Sequence, residues 1–241
     1  MEIYWILLPM ALIAALYASV GHGGASGYLA VMTLAGMAPE VMKPTALCLN
    51  MVVSMLALVA FGRAGYFRPG LFWPFALVSI PFAFAGGRLN VDPGWFHALV
   101  AVVLAFSAVR LCMPAAAPGG EKKPSFWIIA VTGSLMGFVS GLIGVGGGIF
   151  LTPLLLFFGW ARPKVAAAVS APFIFVNSAA GLLGHSGAVE SLPMLWMVLA
   201  PAVLLGGYIG ARWGSGLAHP HQIRRALAVV LVVATLKIAF T

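Results

Sequence analysis

Two glycine-rich stretches hold the residues best suited to bind a ligand in this chain. The first break covers residues 21–24, GHGG, and the second break covers residues 144–148, GVGGG. Each glycine costs about 1 kcal/mol more than alanine inside a helix, so both stretches predict that one helix ends and another begins. A helix N-terminus presents free N–H groups and a partial positive charge, which suit an anion. The expected anion-binding residues of the two breaks are Gly21, His22, Gly23, Gly24, Gly144, Gly146, Gly147 and Gly148.

Polar side chains in the neighbouring apolar segments could add donors to such a site. The candidates are Ser26, Thr45, Asn50, Ser170 and Asn177. Hydroxyl and amide groups donate hydrogen bonds to oxyanions. The same groups also join membrane helices to each other, and each residue taken singly fits either role. The glycines have an alternative role too, because small residues are common where membrane helices pack closely.

His22 is the one titratable residue inside either break. An ionisable group at membrane depth is costly and is by default a functional candidate. Its charge could change near neutral pH, which would suit proton coupling. The alternative is a neutral histidine that bonds to a backbone carbonyl. Val145 stands at the equivalent place in the second break, so only one such group is expected.

The composition requires lipid around most of the chain. Hydrophobic residues make up 62% of the 241 residues and charged residues 7%, whereas a soluble domain carries about 25% charged residues. Within lipid the backbone must satisfy itself in helices or in a closed barrel. Runs such as 195–205 and 226–234 do not alternate between apolar and polar residues, as barrel strands would. The predicted fold class is therefore an all-α polytopic membrane protein.

Ten apolar segments can be drawn, and most are long enough to cross a bilayer, which takes about 20 residues. The second and seventh are too short for a full crossing. Each follows one of the breaks, which predicts a short or re-entrant helical hairpin with a glycine tip. The segments cover residues 4–20, 25–38, 44–62, 71–87, 95–113, 125–143, 149–160, 165–184, 191–211 and 222–240.

The chain also matches itself weakly on either side of its most polar linker, PAAAPGGEKKP. The first break aligns with the second, Gly36 aligns with Gly159, and Gly86 aligns with Gly210. Matches in the same order indicate a duplication. The expected units are a membrane repeat over 1–113, a cytoplasmic linker over 114–124 and a second membrane repeat over 125–241.

Charge placement predicts the orientation, because cationic loops stay on the cytoplasmic side. With ten reversals of the chain, most Lys and Arg residues share one side, and both termini lie outside. The outer side holds only Lys43, Arg88 and Lys237, so no basic residue is expected in the apolar interior. Five elements per half is an odd number, which makes the second half an inverted copy of the first. The residues expected inside are Arg63, Arg68, Lys122, Lys123, Arg162, Lys164, Arg212, Arg224 and Arg225.

Several function classes lack their parts in this sequence. It has five acidic residues, and none falls at predicted membrane depth, so carboxylate-pair catalysis and acidic cation sites are not expected. Cys48 and Cys112 have no CxxC or Cys/His partner, and neither a metal nor a cofactor is expected. The net charge of +8 is scattered between apolar runs, which argues against nucleic-acid binding. We expect no enzyme.

Four stretches carry a family resemblance: GHGGASGYLAV, PTALCLN, GLIGVGGGIFLTPLLL and AAAVSAPFIFVNSAAG. Together they resemble the TauE/SafE family of sulfite exporters. The resemblance implies a small duplicated permease of the prokaryotic inner membrane for sulfite, sulfoacetate, thiosulfate or another organosulfur anion. The family often has a more aliphatic glycine-rich run where this chain has GHGG, so His22 bears on which substrate is expected.

The leading hypothesis is a secondary transporter, and specifically an exporter, of a small sulfur oxyanion or organosulfonate. The expected partners are that anion and membrane lipid, and a homodimer stays open. The alternatives are an anion channel and a non-transporting membrane scaffold subunit.

Overall fold

The computed structural model describes residues 3–89, 124–185 and 194–216, together with scattered positions between 92 and 109. This part of the chain forms eight α-helices preceded by a short 3-10 turn at Ile3–Ile6, and it contains no strand. The helices are α1 (Leu7–Ser19), α2 (Ala25–Leu34), α3 (Pro39–Arg63), α4 (Pro69–Arg88), α5 (Phe126–Ile143), α6 (Gly148–Phe157), α7 (Pro163–Gly184) and α8 (Leu195–Gly216).

Five of these helices, α3, α4, α5, α7 and α8, are long and apolar enough to cross a membrane. The polytopic all-α class predicted from composition is therefore confirmed. The predicted fifth segment is represented by scattered helical positions from 94 to 109. The tenth segment and the 114–124 linker lie outside the described residues.

Helices α2 and α6 are the short elements that follow the two breaks. Each has 10 residues, which gives a length of about 15 Å against the roughly 30 Å of a bilayer core. Neither can therefore cross a bilayer alone. Each ends shortly before a glycine with positive φ, Gly36 at 69° and Gly159 at 66°, and the next helix then begins with a proline at its first position. Proline suits this place because the first N–H groups of a helix have no partner within it.

Helices α3 and α7 form the centre of the bundle. In the most apolar 18-residue stretch of each helix, 56% of the residues are buried in α3 and 78% in α7, compared with 33% in α8. The two helices pack against each other; α3 also packs against α8, and α7 against α4. Two further close pairs lie beside this centre, namely α1 with α8 and α4 with α5.

The two outer pairs are joined by glycines that touch backbone. A Cβ on Gly210 of α8 would overlap the carbonyl oxygen of Ala15 in α1, and a Cβ on Gly141 of α5 would overlap that of Ala83 in α4. Without a hydrophobic driving force between helices in lipid, such backbone proximity is a main source of association. These glycines have helical φ values and allow helices to pack closely, whereas most glycines of the breaks have positive φ values.

Hydrogen bonds identify which helix ends lie together. At one end, Lys43 near the start of α3 donates to the carbonyls of Gly87 and Leu89 at the end of α4, at 3.1 and 3.4 Å. At the other end, Lys164 near the start of α7 donates to Ser215 at the end of α8, at 3.4 Å, and lies over the ring of Tyr66, which follows α3. Helices α3 and α7 therefore run in opposite directions.

Lys43 corrects one expectation from the sequence. The third apolar segment was drawn from residue 44, which left Lys43 in an outer loop. Helix α3 instead begins at Pro39, one turn earlier, and Lys43 lies inside it with 5% of its surface exposed. The interior of the protein therefore does contain a basic residue.

Candidate anion-binding site

The first break separates α1 from α2 as the glycines predict. Helix α1 ends at Ser19 and α2 begins at Ala25. Gly21 and Gly24 have φ values of 76° and 97°, in the left-handed region that side chains disfavour. Gly24 is the residue that caps the N-terminus of α2. All four residues of the break are buried.

The second break has the same construction. Helix α5 ends at Ile143 and α6 begins at Gly148. Gly144, Gly146 and Gly147 have φ values of 86°, 77° and 77°. Gly147 caps α6 as Gly24 caps α2. This break is buried too, so both helix N-termini lie inside the protein.

Asn50 of α3 connects the two breaks. Its Oδ1 accepts a hydrogen bond from the N–H of Ala25, at 3.2 Å. Its Nδ2 donates to the carbonyl of Val145 in the second break at 3.1 Å, and to the hydroxyl of Ser178 on α7 at 3.0 Å. A single side chain therefore holds the start of α2, the second break and α7 together.

The glycines beside Asn50 are required by this contact. A Cβ on Gly23 would overlap Oδ1 of Asn50, and a Cβ on Gly146 would overlap its Nδ2. A Cβ on Gly23 or on Gly146 would also lie 3.0 Å from Cγ2 of Ile174, and a Cβ on Gly148 would overlap the side chain of the same isoleucine. The two breaks thus converge on one place, which is lined by Asn50 and Ile174.

Most N–H groups at these helix starts are unused. In the described part of the chain, four N–H groups at the start of α2 and four at the start of α6 have no hydrogen-bond partner, although all eight residues are buried. Buried N–H groups without a partner are rare in proteins. Two such sets, at helix starts that are held together by Asn50, provide donors for an anion or for water. The residues are Gly23, Gly24, Ser26 and Gly27, and Gly146, Gly147, Gly148 and Ile149.

Two further hydroxyl groups lie at the caps of these helices: that of Ser140, which the sequence offers only as a weaker candidate, and that of Tyr28, which it does not indicate. The hydroxyl of Tyr28 would be 2.8 Å from a Cβ on Gly24, and that of Ser140 would be 3.5 Å from a Cβ on Gly147. Both residues are fully buried, and neither hydroxyl has a hydrogen-bond partner among the described residues. Each N-terminus therefore has a side-chain donor beside it as well as its backbone donors.

His22 spans the gap between the breaks. Its Nδ1 lies 3.0 Å from the carbonyl oxygen of Val20, and its ring also hydrogen-bonds to the backbone of Gly148 at the start of α6. The ring meets that of Tyr17 edge to face, with centroids 6.4 Å apart. The imidazole of the first break is therefore held by the end of the preceding chain segment at Val20 and by the second break at Gly148.

The remaining candidates are distributed unevenly around this place. Ser26 pairs with the hydroxyl of Tyr17 at 2.8 Å, and Ser170 pairs with Thr152 of α6 at 2.7 Å. Asn177 donates to Phe173 within its own helix at 2.8 Å, and its Oδ1 has no partner in the described residues. The buried hydroxyl of Thr45 likewise has none. The side chains of Thr45 and Asn177 form no hydrogen bond with either break in that part of the chain.

The charges near the breaks are cationic. The side chain of Lys43 runs past the second break, with Cγ 3.2 Å from the position of a Cβ on Gly144. The two carboxylates in the described residues, Glu40 and Asp92, are both exposed. Over the same residues, no group of three or more His, Cys, Asp or Glu side chains could hold a metal ion. The place between the breaks thus offers donors and positive charge.

Comparisons with known proteins bear on the whole chain. A model of the family described as "Sulfite exporter TauE/SafE" matches residues 6–238. The chain is 35% identical over 244 residues to "Probable membrane transporter protein y4hK" of Sinorhizobium fredii, with 98% of each chain covered. It is 31% identical over 101 residues to "Probable membrane transporter protein YunE" of Bacillus subtilis, covering 41% of this chain and 35% of that one. No solved structure matches it.

These matches confirm the resemblance seen in the four sequence stretches. The family model spans nearly the full length, and the relative from Sinorhizobium fredii aligns from end to end. The five long apolar helices agree with both. The protein therefore belongs to the TauE/SafE family of membrane transporters and is a multi-pass membrane protein.

Proposed function

We propose that this protein is a secondary transporter that exports a small sulfur oxyanion, such as sulfite, or an organosulfonate such as sulfoacetate. The anion binds between the two breaks, at the N-termini of α2 and α6. One observation carries the proposal: among the described residues, two sets of buried N–H groups without a hydrogen-bond partner lie at the two helix starts that Asn50 joins.

The chemistry of this place favours an anion over a cation. Each helix N-terminus carries the equivalent of about half a positive charge. The backbone donors are supplemented by the hydroxyls of Tyr28 and Ser140, and the described carboxylates lie on the surface. A sulfite or sulfonate group has three oxygens, each able to accept hydrogen bonds from N–H and O–H groups. Binding and release need no catalytic step, so we infer a transporter and not an enzyme.

We further propose that the chain is an inverted repeat, with halves over 1–113 and 125–241 and a cytoplasmic linker over 114–124. If each residue is replaced by its counterpart in the other half, one set of contacts maps onto another. Gly21 packs on Ala167 of α7, and Gly144 packs on Lys43 at the corresponding turn of α3. The α1–α8 pair corresponds to the α5–α4 pair, and α3 runs opposite to α7. This symmetry supports glycine-tipped short hairpins that enter from opposite faces and meet near the midplane.

The proposed location is a prokaryotic inner membrane with both termini outside. An inside-negative potential then favours the outward movement of an anion, by about 2.3 kcal/mol per charge for each 100 mV. We assign proton coupling to His22, because this residue of the first break also contacts Gly148 of the second.

The test is flux in proteoliposomes with sulfite, thiosulfate, sulfoacetate, taurine and sulfate, together with thermal stabilisation of the purified protein. A ligand that binds only the folded state raises the apparent stability. We expect at least one sulfur anion to stabilise the protein and to be transported. Flux of none of the five would favour the scaffold function, and flux that does not saturate with concentration would favour a channel.

A matched pair of variants tests where the anion binds. Gly147→Leu fills the cap of α6, where a Cβ would lie 2.9 Å from the ring of Phe173, and is expected to abolish transport. Gly62→Leu is the control, because a Cβ there has no atom within 4 Å. Transport by folded Gly147→Leu at the rate of the control would refute a site at the breaks.

A further inference from the structure

Lys43 is a buried cation whose partners among the described residues are uncharged. Its exposed fraction is 5%. Its Nζ donates to the carbonyls of Gly87 and Leu89. A lysine ammonium has three N–H donors, so these two bonds leave one unassigned. A charge at this depth in a membrane protein is costly unless a counter-charge is present.

Capping of α4 explains part of this arrangement. Cations are favourable near the last carbonyls of a helix. Two carbonyl dipoles are nevertheless a weak substitute for a carboxylate. Glu40, one turn before Lys43 in α3, is exposed, and so is Asp92. The described residues thus leave the charge of Lys43 without an acidic partner.

His185 adds a second nitrogen group at the same place. It follows the last residue of α7, and its Nδ1 is buried without a hydrogen-bond partner in the described residues. Burial and, secondarily, the nearby charge of Lys43 lower the pKa of His185, while a hydrogen bond to the Gly87 backbone opposes this shift. Lys43 and His185 therefore converge on the end of α4.

This place adjoins the second break. The stem of Lys43 passes Gly144, with Cγ 3.2 Å from the position of a Cβ there. Its ammonium lies at the end of the bundle formed by the start of α3 and the ends of α4 and α7. An anion leaving the break toward that end would meet Lys43 and His185.

We propose that Lys43 and His185 form a second anion-binding position, which the transported oxyanion occupies between the breaks and that end of the protein. The anion supplies the counter-charge that the described residues do not provide for Lys43. The inference rests on the proposed function, since it assumes that a small anion passes through the protein.

The experiment compares sulfite and thiosulfate uptake by inside-out and right-side-out membrane vesicles that contain the full chain. Lys43→Gln keeps an N–H donor for the α4 carbonyls but removes the charge, whereas Lys43→Arg keeps the charge. We expect Lys43→Gln to raise KM about tenfold for anion presented at the Lys43 end and to leave KM at the opposite end unchanged. Lys43→Arg should raise KM at the Lys43 end less than Lys43→Gln does, because it keeps the charge.

A capping role alone predicts a different result. Lys43→Gln would then match wild type, or would lose transport equally from both ends together with its thermal stability. Either result overturns the inference while leaving the proposed function intact. Absence of flux of sulfite, thiosulfate, sulfoacetate, taurine and sulfate in the wild type, with no stabilisation by any of them, would instead reject both proposals.

His185 provides a second route if Lys43→Gln does not fold. His185→Glu places a carboxylate beside Lys43 and should raise KM at that end as Lys43→Gln does, because the internal counter-charge competes with the anion. His185→Gln is the matched neutral control and should leave the Lys43 charge available. Equal KM values for His185→Glu and His185→Gln would overturn the inference.

Discussion

Replacement of Asn50 by alanine tests the connection between the two breaks most directly. The substitution removes three hydrogen bonds, to the N–H of Ala25, the carbonyl of Val145 and the hydroxyl of Ser178. A hydrogen bond contributes about 0.5–1.5 kcal/mol net, and its loss costs more when a buried partner is left unpaired. We therefore expect Asn50→Ala to lower the free energy of unfolding by roughly 2–4 kcal/mol.

The matched control is Ser54→Ala, one turn further along α3. Ser54 is fully buried like Asn50, but among the described residues its hydroxyl bonds only to the carbonyl of Met51 in its own helix, at 3.2 Å. Unfolding is measured by denaturant titration in detergent micelles, and anion flux is measured in proteoliposomes. Asn50→Ala should lose both stability and transport, whereas Ser54→Ala should lose little of either.

A double-mutant cycle makes the test specific. Asn50 and Ser178 share a hydrogen bond, so Asn50→Ala and Ser178→Ala should be less destabilising together than the sum of their separate effects. The reasoning is refuted if Asn50→Ala is as stable as Ser54→Ala, or if the two effects add without coupling.

Three further predictions concern other parts of the protein. Tyr28→Phe and Ser140→Ala each remove an unpartnered buried hydroxyl; thermal stability should hold or rise while anion affinity falls about threefold to tenfold, and unchanged affinity in a thermal-shift titration would count against their role. Gly210→Val inserts a side chain against the backbone of Ala15 and should cost roughly 1–3 kcal/mol in denaturant unfolding, whereas Gly62→Val, with open space around it, should cost little. The pKa of His185 lies below its ordinary value of 6.5, so the folded protein binds fewer protons there than the unfolded chain, and stability should fall as the pH drops through 6.5. His185→Gln should lack that part of the fall, and identical pH profiles of Tm for the variant and the wild type would contradict this.

The local features of this protein were predictable from the sequence, because they depend on local physics. Glycine clusters break helices wherever they occur, and residues 21–24 and 144–148 separate helices as expected. Apolar length and the shortage of charge identify the membrane class in the same way. The short elements after each break also follow from segment length alone, as the 10 residues of α2 and α6 confirm.

The long-range features were not predictable, because their causes lie far apart in the chain. Asn50 was a candidate, but its partners Val145 and Ser178 are 95 and 128 residues away. The sequence around Lys43 predicts a loop. Its hydrogen-bond acceptor, the carbonyl of Gly87 at the end of α4, lies 44 residues further along the chain, so no neighbouring residue indicates that Lys43 is buried. Tyr28 looks like an ordinary member of an apolar run and Ser140 is only a weak candidate there, and the folded chain places their hydroxyls beside the helix caps.

The glycine contacts of the two outer helix pairs also restrict how the protein can move. Each pair joins one of the first four helices to one of the last four: α1 packs on α8, and α4 packs on α5. Rocking the first four helices against the last four as rigid lobes would shear both pairs, where backbone rests directly on backbone at Gly141 and Gly210. Helices α2 and α6 take part in neither pair and pack mainly on the next helix along the chain. Passage of an anion should therefore depend on small displacements of these two short helices inside a stationary frame.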